Sequence, residues 1–442
     1  MSTLTRPSRA WLLPLLLVSA FLPYISKGAG IRFENLLGVL AATWAGAVVL
    51  QRGRVRRAYA PLELLTAAIL VAVVFSTVFS GGDATGLKSS IGRLDHYLRP
   101  LAVLLVADAS LAHLDADDVD RLFVACGKLL LAALFLNTLV QLASLFFDIE
   151  PYVTAFRPSA GDATDMLTVA EMAAKNGRLV GIFNQPLEHG TVYAVGFVVW
   201  VELWRRRALS NITALGAGLG VFVGGVLALS KVFLLGGLPL GILLLLSGGV
   251  RLVMVLRVML FVGLLVPALA WLLQEWAGAE SLLGLIDWLR DPKMLAYGLS
   301  GGRLGLAGSV GEEYLVLKAL RLFQQAPISG VGISGAGAIG DNEYLIALGE
   351  GGMVLLLLVL ARQWLVVASS LRRWHTSPEA RLLLSIGGIL IMGGMGGPVS
   401  GIPRCGTVLW VFIALLLPRV SSAESSRRMP VRALVPVVGG WR

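Results

Sequence analysis

Long apolar segments separated by short polar loops are the feature of this 442-residue sequence that most restricts its fold. A helix needs about 20 mostly apolar residues to cross a bilayer. Backbone groups cannot stay unpaired in lipid, and these segments do not alternate with the period of a strand, so they predict transmembrane helices. About twelve such segments lie near residues 10–25, 35–50, 61–79, 97–111, 122–147, 186–204, 210–229, 231–249, 252–273, 343–370, 381–397 and 403–419.

Composition supports the same class of fold. Hydrophobic residues make up 56% of the chain and charged residues only 14%, with a mean hydropathy of +0.79. A soluble protein of this length needs more charge to cover its surface, so we expect an all-α polytopic membrane protein. The two cysteines, Cys126 and Cys405, lie far apart, and imply neither a disulfide framework nor a thiolate metal site.

The distribution of arginines predicts the orientation of the chain. Arginine clusters follow the second, sixth, eighth, tenth and twelfth segments, and two more arginines precede the first. All of them fall on one side if both termini are cytoplasmic. The net charge of +10 is then mainly a signal of topology, and its scatter among loops argues against nucleic-acid binding.

Four regions follow from this topology. Residues 1–273 hold nine spans and a periplasmic loop at about 148–185, and residues 274–342 form a large periplasmic loop. Residues 343–420 hold the last three spans, and the Ser- and Arg-rich residues 421–442 form a cytoplasmic tail that we expect to be disordered. Long loops in compact folds are usually functional or disordered.

The large loop contains a helical pattern. In "VGEEYLVLKALRLFQQ", at 310–325, apolar residues recur at helical spacing at Tyr314, Leu317, Leu320 and Phe323. This pattern predicts an amphipathic helix lying along the membrane surface. Pro327 ends it, and the glycine-rich "SGVGISGAGAIG" follows.

Basic residues recur on the predicted outer face, where loops normally avoid cations. Arginine matches phosphate oxygens with a planar fork, so this concentration predicts an anionic ligand such as a lipid diphosphate. Simpler explanations stay open, since Arg321 could reach lipid headgroups and Lys231 could anchor a span. The set consists of Arg178, Lys231, Arg303, Arg321 and Arg404.

Two groups of acids accompany these cations. In "GDNEYLIALGEGG", at 340–352, Asp341 and Glu343 stand where an apolar run begins, and Glu350 lies inside that run. Asp341 also suits a helix N-cap, and Glu350 a buried structural role. Glu188 and His189 stand at the start of the sixth segment, where His189 is a candidate base or an interfacial residue.

In order, these motifs resemble those of the bacterial O-antigen ligase and O-antigen polymerase superfamily, over roughly residues 170–420. The matching segments are "GRLVGIFNQPLEHG", "SK" at 230–231, Gly302 with Arg303, "PISGVGISG" and "DNEYLIALGEGG". Such proteins transfer an oligosaccharide from undecaprenyl diphosphate to a hydroxyl acceptor, with a helical fold related to the GT-C glycosyltransferases and without metal or other cofactor.

The resemblance implies roles for the residues above. Arg178, Lys231, Arg303 and Arg321 would hold the diphosphate. Asp341, or else His189 with Glu188, would take the acceptor proton. Asn342, Glu343, Tyr344, Glu350 and Arg404 would support the acceptor. Implied partners are the lipid-linked oligosaccharide as donor and acceptor, the lipid bilayer, a chain-length regulator and a flippase.

Two departures from the family pattern shape the expected function. Lys231 replaces an arginine and keeps the charge without bidentate geometry. Asp341 stands where ligases have a histidine, which favours a repeat-unit polymerase at the periplasmic face of the bacterial inner membrane. Ligation to lipid A-core and transfer to protein Ser or Thr are the alternatives within this chemistry. A solute transporter is the alternative from a different class.

Overall fold

The predicted apolar segments form helices in a computed structural model, which describes residues 9–26, 31–53, 55–79, 84–157, 170, 173–174, 178–247, 315–333 and 342–428. The helices are α1 (Leu12–Ser19), α2 (Phe33–Arg52), α3 (Ala60–Phe79), α4 (Ala84–Leu111), α5 (Ala116–Ala143), α6 (Glu150–Val153), α7 (Pro186–Arg205), α8 (Asn211–Leu227), α9 (Leu238–Ser247), α10 (Leu315–Gln325), α11 (Glu343–Leu371), α12 (Pro378–Gly396) and α13 (Pro403–Arg428). Short 3-10 turns occupy Arg9–Trp11 and Thr154–Phe156, and a π-helix, Val232–Gly237, leads into α9.

Six of the helices are long and apolar enough to cross a membrane, namely α2, α3, α5, α11, α12 and α13. The chain is therefore an all-α membrane protein, as its composition predicts. The total of twelve spans and the GT-C relationship stay predictions, and the segment at 252–273 lies outside the described residues.

Helix α13 lies at the centre of the bundle. Its span, Pro403–Val420, is 89% buried, whereas the span of α2 is 22% buried. Every side chain from Val408 to Leu416 is inaccessible. Apolar composition alone would also suit a helix that faces lipid, so it is the burial of these side chains that places α13 inside the bundle. We name the two ends of the bundle after α13, the Arg404 end where it begins and the Arg419 end where its span finishes.

A two-stranded ribbon interrupts the helical pattern at the Arg404 end. Strands β1 (Tyr24–Ser26) and β2 (Ile31–Arg32) pair in antiparallel fashion between α1 and α2. The apolar pattern of the sequence predicts helices and no strands. The ribbon, with strands of three and two residues, leaves the all-α fold class unchanged. The ribbon matters because it places Arg32 directly before α2, as the N-cap residue, where the Arg32 side chain is buried.

Helix α11 folds back on itself at Gly352. Arg362 Nη2 donates to Glu343 Oε1 at 3.0 Å, and Tyr344 Oη donates to Gln363 Oε1 at 2.8 Å. Each pair is 19 residues apart, which would span about 28 Å in a straight helix. Residues 343–351 must therefore run antiparallel to residues 353–371, so the single span predicted at 343–370 is a helical hairpin.

Glycine makes this reversal feasible. Gly352 has φ +63° and ψ −157°, a combination that side chains disfavour. A Cβ at Gly352 would also approach the carbonyl oxygen of Ile328 to 2.5 Å. The "GEGG" segment is thus the turn of the hairpin, and the short arm 343–351 begins inside the bundle rather than at its surface.

Helix α10 packs against the short arm of the hairpin. Its buried residue Ala319 contacts Ile346, and Leu322 and Phe323 are partly buried beside it. Leu320 and Arg321 are exposed. The amphipathic helix predicted within the large loop is confirmed over Leu315–Gln325, but the face that packs on the protein is centred on Ala319 rather than on Leu320.

Candidate functional site

Arg404 ties three segments together at the beginning of α13. Its Nε donates to Ala20 O at 2.9 Å, Nη1 to Ile182 O at 2.7 Å and Nη2 to Phe156 O at 2.6 Å. The side chain is fully buried, and its charge faces Glu188 Oε2 at 3.9 Å. Arg404 therefore has a structural role at this end, because its guanidinium N–H groups donate to backbone carbonyls of three segments.

Glu188 belongs to a buried charge network. Arg32 Nη1 lies 3.3 Å from Glu34 Oε1 and 3.7 Å from Glu188 Oε1. The Glu188 carboxylate also accepts from the backbone N–H of Asn184 at 2.9 Å. Burial acts to lower the pKa of Arg32, but the carboxylates of Glu188 and Glu34 raise it by more. Arg32 thus stays charged and holds the two acids together.

Arg99 joins this network to the turn before α13. Its Nη1 lies 3.8 Å from Glu34 Oε1 and donates to Thr407 Oγ1 at 3.2 Å, and its Nε donates to Gly401 O at 3.2 Å. Its Nη2 pairs with Asp95. The turn at 397–402 is therefore held by a buried cation from α4.

The hairpin of α11 meets the other side of the same turn. Arg362 Nη2 donates to Ser400 Oγ at 2.9 Å, besides its bond to Glu343, and Ser400 Oγ also bonds to Glu343. The ring of Trp410 lies 5.2 Å from the guanidinium carbon of Arg362, within range of a cation–π contact. Two buried networks, one around Glu188 and one around Glu343, thus share the turn at 397–402.

Asn342 and Tyr344 fix the start of the short arm. The Asn342 side chain accepts from the backbone N–H groups of Tyr344 at 3.0 Å and Leu345 at 3.1 Å. This is an N-cap, the role suggested from the sequence for Asp341, which lies outside the described residues. Asn342 Nδ2 also donates to Met395 O at 3.1 Å, and so joins the arm to the end of α12.

The turn at 327–333 docks into the bend of the hairpin. Val331 N donates to Gly349 O at 3.0 Å, and Met353 N donates to Pro327 O at 2.9 Å. A Cβ at Gly330 would come within 2.4 Å of Gly351 N, so the approach requires glycine. Backbone groups freed by the bend thus find partners in "PISGVGISG", a motif that the sequence separates from "GEGG".

Glu350 lies beside this bend. Tyr97 Oη donates to Glu350 Oε2 at 2.7 Å, and Ser76 Oγ donates to the Glu350 carbonyl at 2.6 Å. Glu350 therefore connects the hairpin to α3 and α4. The arrangement matches the structural alternative considered for this residue.

Arg178 bonds to the backbone at the end of α8, in the segment that leads into Lys231. Arg178 donates from Nε to Ala228 O and from Nη2 to Leu229 O, both at 3.2 Å, and Lys231 follows two residues later as the N-cap of the π-helix. Both side chains are partly accessible. A Cβ at Gly190 would lie 1.8 Å from Ser230 Oγ, so Gly190 brings this segment against the first turns of α7.

Glu188 and His189 are neighbours in sequence but belong to different surroundings. His189 is fully buried and stacks on Tyr193, with ring centroids 4.1 Å apart. Its Nε2 lies 3.0 Å from Gln141 Nε2, between α5 and α7. The side chain of Glu188 instead faces Arg32 and Arg404, so these two residues do not form a joint acid–base pair.

The remaining candidates lie apart or outside. Arg321 is exposed on α10, and Arg303 lies outside the described residues, like Asp341. Within the described part of the chain, no group of three His, Cys, Asp or Glu residues could hold a metal ion.

Comparison with known proteins adds no relative to this picture. No protein-family model matches the chain, and no characterised protein matches it either.

Sequence reasoning missed the partners of the candidate residues. Arg99 stands at the edge of a predicted span, whereas Arg362 stands inside an apolar run, where an ionisable residue signals a functional or paired site. That signal was available for Arg362. The involvement of Arg32 and Glu34 carried no such signal, because they lie at the edge of a span.

Proposed function

We propose that the protein is a membrane glycosyltransferase that polymerises oligosaccharide repeat units carried on undecaprenyl diphosphate. The observation that carries the proposal is the meeting of two motifs far apart in sequence, in which Arg178 bonds to Leu229 O and Gly190 packs against Ser230, next to Lys231. Both cations belong to this meeting of segments, and a diphosphate carries the opposite charge.

A second meeting of motifs supports the same proposal. The turn at 327–333 docks into the bend at Gly352, and the bend sets the position of Asn342 and Glu343. Four of the five motifs that suggest the function therefore meet in two pairs. Each pair joins residues from separate segments, as a site built from several helices requires.

The chemistry assigned to the site is a substitution at an anomeric carbon. The acceptor hydroxyl oxygen forms the new bond, and the bond to the diphosphate breaks with its electron pair leaving on the phosphate oxygen. Arg178 and Lys231, with Arg303 as a further predicted contact, offset the charge of that leaving group. Asp341 remains the predicted base, on the periplasmic face of the bacterial inner membrane, because His189 is fully buried and stacked on Tyr193.

The deciding experiment uses purified protein in lipid nanodiscs with undecaprenyl-diphosphate oligosaccharide, analysed by mass spectrometry with and without lipid A-core. A ladder of lipid-linked repeats without the second acceptor is the expected result. Product that forms only with lipid A-core would replace the polymerase by a ligase. Unconsumed donor under both conditions would overturn the polymerase and the ligase, and would leave transfer to protein and the transporter as the candidates.

A transporter is the second candidate, and one observation favours it. Arg362 is buried inside a membrane helix, opposite a short helical arm that begins within the bundle. Transporters use broken helices and buried charges in this way. Uptake of free oligosaccharide into proteoliposomes, with no lipid-linked donor consumed, would favour this candidate.

A further inference from the structure

Four buried polar atoms without a partner lie between the two arms of the α11 hairpin. Among the described residues, no hydrogen-bond partner exists for Arg362 Nε, Arg362 Nη1, Gln363 Nε2 or Glu343 Oε2. The three residues are 1%, 2% and 5% exposed, respectively. Folded proteins leave few buried polar groups unsatisfied, so a cluster of four indicates a ligand or ordered water.

The other atoms of these side chains are already engaged. Arg362 Nη2 holds Glu343 Oε1 and Ser400 Oγ, at 3.0 and 2.9 Å. Gln363 Oε1 accepts from Tyr344 Oη at 2.8 Å. These bonds fix the orientation of the guanidinium, the amide and the carboxylate. The atoms that remain without a partner are three nitrogen donors of Arg362 and Gln363 and one carboxylate oxygen of Glu343.

Gly394 on α12 keeps space beside this set. A Cβ at Gly394 would lie 3.0 Å from Tyr344 Oη and 3.2 Å from Glu343 Oε2. Both distances are shorter than an ordinary contact, so a methyl group there would crowd the unpaired carboxylate oxygen. The absence of a side chain at Gly394 therefore leaves the unpaired carboxylate oxygen uncrowded on this side.

The donor and acceptor pattern selects the chemistry of the ligand. A hydroxyl group accepts from N–H groups and donates to a carboxylate oxygen at the same time. A phosphate would accept from Arg362 and Gln363, but it would meet the carboxylate of Glu343 with a like charge. We propose that Glu343, Arg362 and Gln363 form a hydroxyl-binding site, separate from the cations Arg178 and Lys231.

The hydroxyl has two sources, water and the acceptor glycan. The glycan source rests on the proposed function, in which the acceptor must present a hydroxyl near the beginning of the short arm. Asn342 caps that arm and is partly accessible, so an acceptor can approach from this side. The water source requires no enzymatic activity.

Cryo-electron microscopy of the protein in lipid nanodiscs, at a resolution that shows ordered water, tests the site. Without glycan, we expect density within hydrogen-bond distance of Arg362 Nη1 and Glu343 Oε2. With the lipid-linked glycan isolated from the source organism, replacement of that density by a sugar identifies the acceptor hydroxyl. Water retained in both states supports the site and assigns its hydroxyl to solvent. An empty site in both states, or density that appears only with added inorganic phosphate, would overturn the proposal.

A matched pair of glycine variants on α12 sharpens the test. Gly394→Ala places a methyl group beside Glu343 Oε2, whereas Gly388→Ala meets the side chain of Leu240, with Cδ1 at 3.1 Å and Cδ2 at 3.8 Å. We expect the density to disappear in the first variant and to persist in the second. Full density in Gly394→Ala would contradict the proposed position.

Gln363→Met provides a second test in case Gly394→Ala does not fold. It removes the amide donors at nearly constant volume, so the density should weaken while the hairpin persists. Because occupancy is measured without turnover, an inactive protein would still report on the site. Failure of the polymerase assay and failure of this proposal are therefore separate outcomes.

Discussion

The two ends of the bundle use the same residue types in opposite ways. At the Arg419 end, Arg206 and Arg419 each pair with Asp120 and with Glu379, at 2.5 to 3.0 Å. Their side chains are 12 to 40% exposed, beside an open cavity of about 650 Å³. At the Arg404 end, the ion pairs of Glu188 and Glu343 are at most 6% exposed.

The difference between these two sets of ion pairs concerns burial rather than charge. Each cation at the Arg419 end has two carboxylates in reach, and water can reach part of the cluster. The networks of Glu188 and Glu343 are instead closed off from solvent, and atoms of Glu34, Glu188, Glu343 and Arg362 in them lack a hydrogen-bond partner among the described residues. Unsatisfied groups are costly, so proteins keep them where a ligand or water needs them. The first end joins helices, and the second has the character of a site.

Removing Arg362 should have the largest effect of all single changes considered. In Arg362→Leu, the carboxylate of Glu343 loses its counter-charge in a buried position, which costs about 3–5 kcal/mol. The chain's two cysteines, Cys126 and Cys405, are buried, so a thiol-reactive dye reports unfolding, and we expect a much lower Tm.

The double variant Arg362→Leu/Glu343→Gln is the control for this prediction. It removes both charges, and apolar or neutral replacement of a whole buried pair is often nearly neutral. Recovery of most of the lost stability is the expected outcome. If the double variant were as unstable as the single one, the ion pair would not be the reason for the loss.

Removing a cation from the proposed diphosphate site should act on activity instead. Lys231→Ala should lower kcat for donor consumption by about 10²–10³-fold, the usual effect of losing one electrostatic contact to developing charge. Lys128→Ala is the control, because Lys128 is an exposed lysine on α5. Unchanged turnover in the Lys231 variant would remove this residue from the site.

A smaller loss of stability is expected from Gly352→Ala. The backbone conformation at Gly352 costs a non-glycine residue about 1–3 kcal/mol, and the new Cβ would press against Ile328 O. The dye assay should show a lower Tm than wild type. Gly46→Ala on α2 meets no atom within 4 Å and should be neutral or slightly stabilising.

The bounds of many helices were predictable because they depend on local pattern. The apolar run predicted at 186–204 becomes Pro186–Arg205, and the run at 343 begins at its Asn342 cap. The hairpin was not predictable, because "GEGG" allows a kinked span as well as a reversal. A kinked span and a reversal differ in which residues of the two arms contact each other. The contact that shows the reversal, Arg362 with Glu343, joins residues 19 positions apart and cannot be inferred from local sequence.

In the candidate site too, features that depend on local sequence were predictable, and features that depend on distant partners were not. The cationic residues Arg178 and Lys231 follow from their position at the predicted outer face, and the segments that carry them meet, whereas their shared role stays a prediction. The sequence suggested that His189 and Glu188 act together as a base. Successive residues on a helix point about 100° apart, however, and the two side chains belong to different networks. Burial, which decides between a base and a core residue, cannot be read from one position.

The smallest effect is expected at the Arg419 end, and it completes the comparison. In Arg419→Met, Arg206 still holds Asp120 at 2.5 Å and Glu379 at 3.0 Å, so no carboxylate loses its last cation. Partly exposed ion pairs contribute little, and we expect a loss of about 0–1 kcal/mol. Salt screens such pairs, so the difference in Tm between variant and wild type should shrink as ionic strength rises from 0.05 to about 0.5 M. The loss in Arg362→Leu should persist across the same series, because a buried pair is screened much less. Equal salt dependence at both ends would mean that the Arg404 end is open to solvent, and the contrast between the two ends would then fail.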